Sequence, residues 1–305
     1  MTIPRIVVLG NLLVDDIVFA DGATRMGQAG GAVLYAALGA MLWNARPGLV
    51  SVVGDDYPHD MLQILDRRGA DVTGVRELRR PGVRTWLLYE GHLRHLVHRL
   101  GCPTHEDVSP QPADIPVQWH AAPAWHLAPM PVGVQEMLLA SLAGASGRFI
   151  SIDPHFPVTE ESLGAWKRIL AGADAFFPGA DELLLRETQS NPHDALRRLA
   201  GGRLRFVAFK RGAQGGILYD AHRDCFHDWT ARTGATVDQT GAGDAFAAGF
   251  VCAYLEQLPI EVCLQRAIVT ASFAVEAWGP EGLLAATRAD AESRLHGWSR
   301  SEVRR

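Results

Sequence analysis

The stretch Asp238-Gln239-Thr240-Gly241-Ala242-Gly243-Asp244-Ala245-Phe246 runs straight into the apolar Ala247-Ala248-Gly249-Phe250-Val251. Small residues at 241–243 let the backbone turn tightly into a helix and aim several N–H groups at one point. Such a helix start is a ready anion site, with phosphate its usual occupant. An acid in the first turn is held as the carboxylate by the helix dipole. Asp244 therefore stands where it can take a proton from a hydroxyl that attacks a bound phosphoryl group. Helix capping would account for Asp244 alone. The joint spacing of Asp238, Thr240, the glycines, Asp244 and Phe246 points instead to phosphoryl transfer.

Upstream of this segment, short apolar β-branched runs alternate with stretches of helical period, the pattern of a mainly parallel sheet covered on both faces. Strands are predicted at Ile6–Leu9, Leu49–Val53, Ala124–Leu127, Phe149–Ile152, Ala175–Phe177 and Leu204–Phe209. Helices are predicted at Gly31–Trp43, Tyr57–Arg68, Gly133–Ala143, Glu161–Ala171, Asp181–Glu187 and His193–Ala200. Three more, Ala242–Glu256, Ile260–Ala277 and Arg288–Leu295, follow one another toward the C-terminus. Arg84–Tyr89 and Leu93–Leu100 flank Glu90-Gly91-His92 and read as a β-hairpin that projects as a lid. The polar stretch 299–305 is expected to fray.

Composition narrows the function classes. The 305 residues carry 29 Lys+Arg against 34 Asp+Glu, a net charge of −5, without the basic excess of a protein held to nucleic acid by phosphate contacts. An apolar share of 48% is enough for a large core. The least charged stretch, Met26–Ala45, is tightly apolar only over Ala32–Trp43, short of the about 20 residues a membrane span needs. It reads as a buried helix, with no membrane partner. The start of the chain shows no signal-peptide pattern, so a cytoplasmic location is expected. Cys102, Cys225, Cys252 and Cys263 are scattered and read as reduced thiols. Among His92, His95 and His98, residues three apart on a strand point to opposite faces, so a structural metal is not expected.

The 238–246 segment resembles the C-terminal signature of the ribokinase-like, or PfkB-type, carbohydrate kinases, Asp-Thr-x-Gly-Ala-Gly-Asp-x-Phe, with Gln239 where Thr is usual. The resemblance covers nearly the whole chain. Val7-Val8-Leu9-Gly10-Asn11-Leu12-Leu13-Val14-Asp15 is similar to the family's first strand and the segment after it. Gly30-Gly31-Ala32-Val33-Leu34-Tyr35 is similar to its Gly-Gly helix start, with Tyr35 where Asn is common. Gly54-Asp55-Asp56 and Asp153-Pro154 match further landmarks. Pro178-Gly179-Ala180-Asp181-Glu182 resembles an Asn-x-x-Glu motif, with Gly179 in place of Asn. Lys210-Arg211-Gly212-Ala213-Gln214-Gly215-Gly216 resembles the Gly-x-x-Gly turn beside the nucleotide.

The resemblance implies a ribokinase-like α/β fold: a three-layer, doubly wound, mainly parallel sheet in a single domain over 1–305, with a small β-hairpin lid from about 84–100 and 13–24 as a second lid candidate. The stretch 16–29 is shorter than the region where larger members place two lid strands, so the lid is expected to reduce to the hairpin. By the same resemblance Asp244 is the catalytic base, and the amides of Gly241, Ala242 and Gly243 form the anion hole. Asn11, Asp15, Gly30 and Gly31 would bind substrate, and Lys210, Gly212, Gly215 and Thr240 would lie near the nucleotide. Asp238 would help bind a monovalent cation such as K+, and Glu182 would serve Mg2+ through water.

The implied activity is ATP-dependent transfer of the γ-phosphate to a hydroxyl of a small polyol or sugar. A nucleoside kinase of the same fold and a catalytically silent ligand-binding relative are the alternatives, and a homodimer is left open. Trp86 is a candidate for stacking on a base, and Arg25, Arg84 and Arg94 for pairing with a phosphosugar. A nicotinamide-dependent dehydrogenase would need Gly-x-Gly-x-x-Gly after the first strand, where Gly10 stands without its partners.

Overall fold

Along β1 (Ile6–Leu9) successive side chains enter different cores: Ile6 and Val8 pack into one apolar cluster, Val7 and Leu9 into the other. This two-residue alternation means that the strand is covered on both faces. A computed structural model describes the chain except residues 1, 91–92, 144–146, 233, 235, 298–302 and 305. In chain order β1 is followed by β2 (Leu13–Val18), β3 (Thr24–Gly30), α1 (Ala32–Leu42), β4 (Pro47–Val53), α2 (His59–Arg67) and β5 (Asp71–Glu77). Then come β6 (Arg84–Glu90), β7 (Leu93–His98), β8 (Ala124–Leu127), α3 (Val132–Leu142), β9 (Phe149–Ile152), β10 (Val158–Thr159) and α4 (Leu163–Leu170). The next elements are β11 (Ala175–Phe176), β12 (Leu183–Leu184), α5 (Glu187–Ser190), α6 (Pro192–Leu199), β13 (Phe206–Lys210), β14 (Gly216–Asp220) and β15 (Cys225–Trp229). Last are α7 (Ala242–Leu255), α8 (Ile260–Ala274), α9 (Glu281–Ala285), α10 (Arg288–His296) and β16 (Val303–Arg304).

The main sheet has the order β16-β15-β14-β13-β11-β9-β8-β1-β4-β5, parallel from β13 to β5 and antiparallel through β14, β15 and β16. Helices α1, α7 and α8 cover one face, and α3, α4 and α6 the other. This is the expected ribokinase-like layering, and most elements fall within a few residues of their predicted bounds.

Three expectations need correction. The lid is a four-stranded sheet, β3-β2-β6-β7, and not a lone hairpin. A tight turn makes room for β2 and β3 in the short 13–30 stretch: Phe19 N–H donates to the Ala23 carbonyl at 2.9 Å, and Ala23 N–H to Asp21 Oδ1 at 2.9 Å. The helix expected over Asp181–Glu187 is absent. Leu183 is buried in the second core, and Leu183–Leu184 pair in parallel with Val158–Thr159, so tertiary burial overrides helical propensity. The second helix of the C-terminal run ends at Ala274 rather than Ala277, and a separate short helix follows at Glu281–Ala285. Of the tail expected to fray, Val303–Arg304 pair with Asp228–Trp229, while 299–302 and 305 lie outside the described residues. The hairpin turn at Gly91 and His92 also lies outside them.

Helices α7 and α8 approach closely at Gly249, where a Cβ would overlap Thr270 Oγ1 and sit 3.0 Å from the Ala267 backbone. In an open helix Gly→Ala stabilises by about 1 kcal/mol. At this crossing overpacking outweighs that gain, so Gly249→Ala is expected to destabilise by about 1–3 kcal/mol, read as a lower urea midpoint.

Candidate active site

The candidate residues gather at the carboxyl ends of the central parallel strands, where open α/β sheets bind ligands. Asn11 follows β1, Asp153 follows β9, Gly179 follows β11, and Lys210 closes β13. The loop before α7 enters this crevice. Gly241 caps the helix at φ 75°, in the left-handed region, and no side chain caps the helix N-terminus. Of the three anion-hole donors expected, the Ala242 N–H reaches the Gln239 carbonyl at 3.3 Å. Among the described residues the Gly241 and Gly243 N–H groups have no backbone acceptor, so these two are left to face an anion. Asp244 sits in the first turn as predicted.

Asp238 is buried, and its carboxylate holds this loop in place. Oδ1 accepts from the Tyr89 hydroxyl at 2.6 Å and the Thr240 N–H at 2.9 Å, and Oδ2 accepts from the Gly279 N–H at 2.9 Å. The residue linked by resemblance to a monovalent cation thus ties the lid strand β6 to the anion loop, a role sequence reading missed. Thr240, assigned to the nucleotide's neighbourhood, belongs to the same network.

Tyr35 is the second residue whose role the sequence understated. It is buried one turn into α1, and a Cβ on Gly241 would overlap its ring. Burial, then the charges of Asp15, Asp238 and Asp244, raise its pKa well above the ordinary phenol value, so the hydroxyl keeps its proton. On the acceptor side, a Cβ on Gly30 would overlap the Asp15 carboxylate, and one on Gly31 would overlap the Asn11 carbonyl. The structure therefore brings Asn11, Asp15, Gly30 and Gly31 together, with Tyr35 between them and the anion loop.

Beneath Gly243 lies Lys210, whose Nζ would be 2.9 Å from a Cβ at that position. Lys210 donates to both Asp153 oxygens, at 2.9 and 2.8 Å. Burial works against its charge, but Asp153, Glu182 and Asp244 prevail and raise its pKa, so a half-buried cation stands under the start of α7. Glu182 folds back to accept the Gly179 N–H at 2.6 Å. A Cβ on Gly179 would lie 3.1 Å from that carboxylate, which gives a physical reason for glycine there. Burial, then the Asp153 charge, push the Glu182 carboxyl up to about 8. The two glycines of the next turn differ in role. A Cβ on Gly215 would overlap the Trp229 carbonyl, so that glycine serves packing, whereas Gly212 has open space within 4 Å.

Other candidates are engaged elsewhere. Arg25 pairs with Glu281 at 2.7 Å, and Arg84 grips buried Asp16 at 2.6 and 2.8 Å; the Arg94 side chain lies outside the described residues. Trp86 is in register with Asp16 and Val97, whereas Asp15 is in register with Thr85 and His98. Alternation along the strand puts Trp86 on the face away from Asp15, so it is not placed to stack on an acceptor. His92 lies outside the described residues, and among those described no group of three His, Cys, Asp or Glu could hold a metal ion. No described helix is long and apolar enough to cross a membrane.

The profile described as "pfkB family carbohydrate kinase" matches residues 5–284. Cytidine kinase of Thermococcus kodakarensis is 30% identical over 282 residues, which span 90% of this chain and 97% of that protein. 2-Dehydro-3-deoxygluconokinase of Thermoproteus tenax is 25% identical over 274 residues, 85% of this chain and 82% of that one. Among solved structures, an E. coli protein provisionally named ribokinase II, in complex with ATP and Mg2+, superposes with a TM-score of 0.78 at 18% identity. The superposition covers 97% of this chain and 100% of that one, and at this identity it speaks to the fold.

Two outcomes follow from these contacts. Tyr89→Phe removes one donor to buried Asp238 and should cost about 1–3 kcal/mol in a denaturant melt, with a loss of any ATP-dependent turnover. Glu182 has its folded pKa raised from 4.5 to about 8, so between these values the folded state holds the proton longer than the unfolded chain and stability falls as pH rises. In melts without magnesium, the Tm of Glu182→Gln relative to the parent should therefore rise from pH 5 to pH 9, and a flat difference would count against the raised pKa.

Proposed function

Because the chain belongs to the pfkB family of carbohydrate kinases, we propose that it transfers the γ-phosphoryl group of ATP to a hydroxyl of a nucleoside, with Asp244 as the catalytic base. The observation that carries the chemistry is the start of α7: two amides without an acceptor among the described residues, an acid in the first turn and a half-buried lysine meet there. Asp244 would accept the hydroxyl proton as the new P–O bond forms. The Gly241 and Gly243 N–H groups and the Lys210 ammonium would stabilise charge on the phosphoryl oxygens, and such preorganised electrostatics supply much of the catalysis in phosphoryl transfer.

The residues fit a magnesium ion as an outer partner. Glu182 and Asp153 place two carboxylates beside the phosphate site, and the raised Glu182 pKa marks negative charge that a cation would relieve. Bound there, magnesium would offset charge on the triphosphate. Asp15 and Asn11, brought together over Gly30 and Gly31, would orient the acceptor.

The nucleoside reading is supported by the extent of the match to a cytidine kinase, nearly end to end, and by engagement of Arg25 and Arg84, which leaves neither cation spare for an acidic acceptor. The match to 2-dehydro-3-deoxygluconokinase favours a sugar acid as the second reading. Coupled ADP release with Mg-ATP across cytidine, other nucleosides, ribose and 2-keto-3-deoxygluconate decides between them. Asp244→Asn should lower kcat by about 10²–10⁴-fold, the usual worth of a general base, while ATP binding by calorimetry persists. Undiminished turnover in that variant would remove Asp244 from the mechanism.

A further inference from the structure

Three histidines near the acceptor side have no place in this mechanism. His98 ends β7 in the lid, His105 lies in the loop after it, and His155 follows Asp153-Pro154 on the core side. Their rings form a row. The centroids of His98 and His105 are 4.9 Å apart at 70°, those of His105 and His155 are 5.1 Å apart at 46°, and those of His155 and Phe156 are 4.8 Å apart at 80°. His98, His155 and Phe156 are exposed. The row thus presents flat aromatic edges and faces to solvent, from the lid across to the core.

Its position relates it to the acceptor residues. His98 is in register with Thr85 and, through it, with Asp15. These residues share a sheet face, with two strand spacings, roughly 10 Å, between Asp15 and His98. His105 is tied to Asn11, whose side-chain amide lies 2.9 Å from His105 Nδ1 and 3.1 Å from Ser109 Oγ, while the Ser109 hydroxyl donates to the His105 carbonyl at 2.6 Å. The single proton of that hydroxyl goes to the carbonyl, at the shorter distance, so the Asn11 contacts do not fix the tautomer of the ring, and Nε2 is its nitrogen without a bond. That Nε2 is buried and has no partner. A buried polar atom without a hydrogen-bond partner is costly to keep.

We propose that His98, His105 and His155 form the far wall of the acceptor pocket and select a nucleoside, holding its base by ring contact with His98 and His155 and by a hydrogen bond at the His105 Nε2. This rests on the nucleoside reading given above and adds the residues that would enforce it. The wall suits an uncharged heterocycle. Burial, then His155 and His98, push His105 down to about 4, so its ring is neutral at pH 7. An uncharged imidazole offers flat faces, one donor and one acceptor, which match a base better than a carboxylate or phosphate. The span from Asp15 to His98 accommodates a sugar with a base attached, whereas a free pentose leaves the row untouched.

The test is steady-state ADP release by the full-length chain with cytidine, other nucleosides and 2-keto-3-deoxygluconate, for the parent, His98→Ala, His105→Ala, His105→Gln and His155→Ala. Loss of the hydrogen bond in His105→Ala should raise the nucleoside KM about tenfold or more, with a smaller change in kcat and none in the ATP KM. His105→Gln, which keeps a hydrogen-bonding group near the Nε2 position, should recover part of that loss, an effect that a role in folding alone would not produce. If the parent phosphorylates nucleosides and no histidine variant changes their KM, the wall is overturned and the nucleoside reading stands. If the parent phosphorylates only 2-keto-3-deoxygluconate, the nucleoside reading falls and the proposal with it.

Discussion

The buried Asp238 carboxylate is the constraint on which the rest of the site depends. It draws a hydroxyl from the lid, an amide from the anion loop and an amide from the segment after α8 onto one group. A carboxylate removed from water is costly unless its oxygens are satisfied, so the three elements must meet in one geometry. Aromatic packing reinforces the junction, since Trp278 meets Phe19 and Tyr89 edge-on with centroids 4.5 and 5.0 Å apart. Position of the lid and shape of the phosphate loop are therefore not independent, because both are set by the ligands of one buried anion.

A second constraint is the charge balance behind the loop. Lys210 and Asp153 neutralise each other under the helix start, while Glu182 sits beside the pair and is pushed toward its neutral form by burial and by Asp153. The crevice thus holds one firmly charged cation under the start of α7, and one carboxyl whose ionisation a nearby positive charge would favour. Gly179 matters in this arrangement, since its lack of a side chain leaves room for Glu182 to fold back onto the local backbone.

How far the site was legible varied with its chemistry. The loop 238–246 could be read at once, because tight turns and helix starts impose residue types at fixed spacing. The β2–β3 half of the lid could not, since Asp15 and Asp16 interrupt the apolar alternation that marks a strand. Asp16 is nevertheless buried, which only its pairing with Arg84 from a distant strand makes tolerable. The helical period over Asp181–Glu187 suggested a helix, yet the burial of Leu183 and its pairing with Val158 made a strand. The histidine row was invisible for the same reason: His98, His105 and His155 come from three separated segments.

The sequence by itself determined the layered α/β architecture and the glycine turn that opens α7 with Asp244 in its first turn. These rest on local periodicity and on backbone requirements that neighbouring residues satisfy. Tertiary structure alone decided that Tyr35 packs on Gly241, that Asp238 spends its oxygens on the lid and loop, that Trp86 faces away from the acceptor and that three histidines line up beside it. Each of those depends on strand register or on the meeting of segments far apart in the chain, where burial and hydrogen-bond satisfaction act between residues that no local pattern connects.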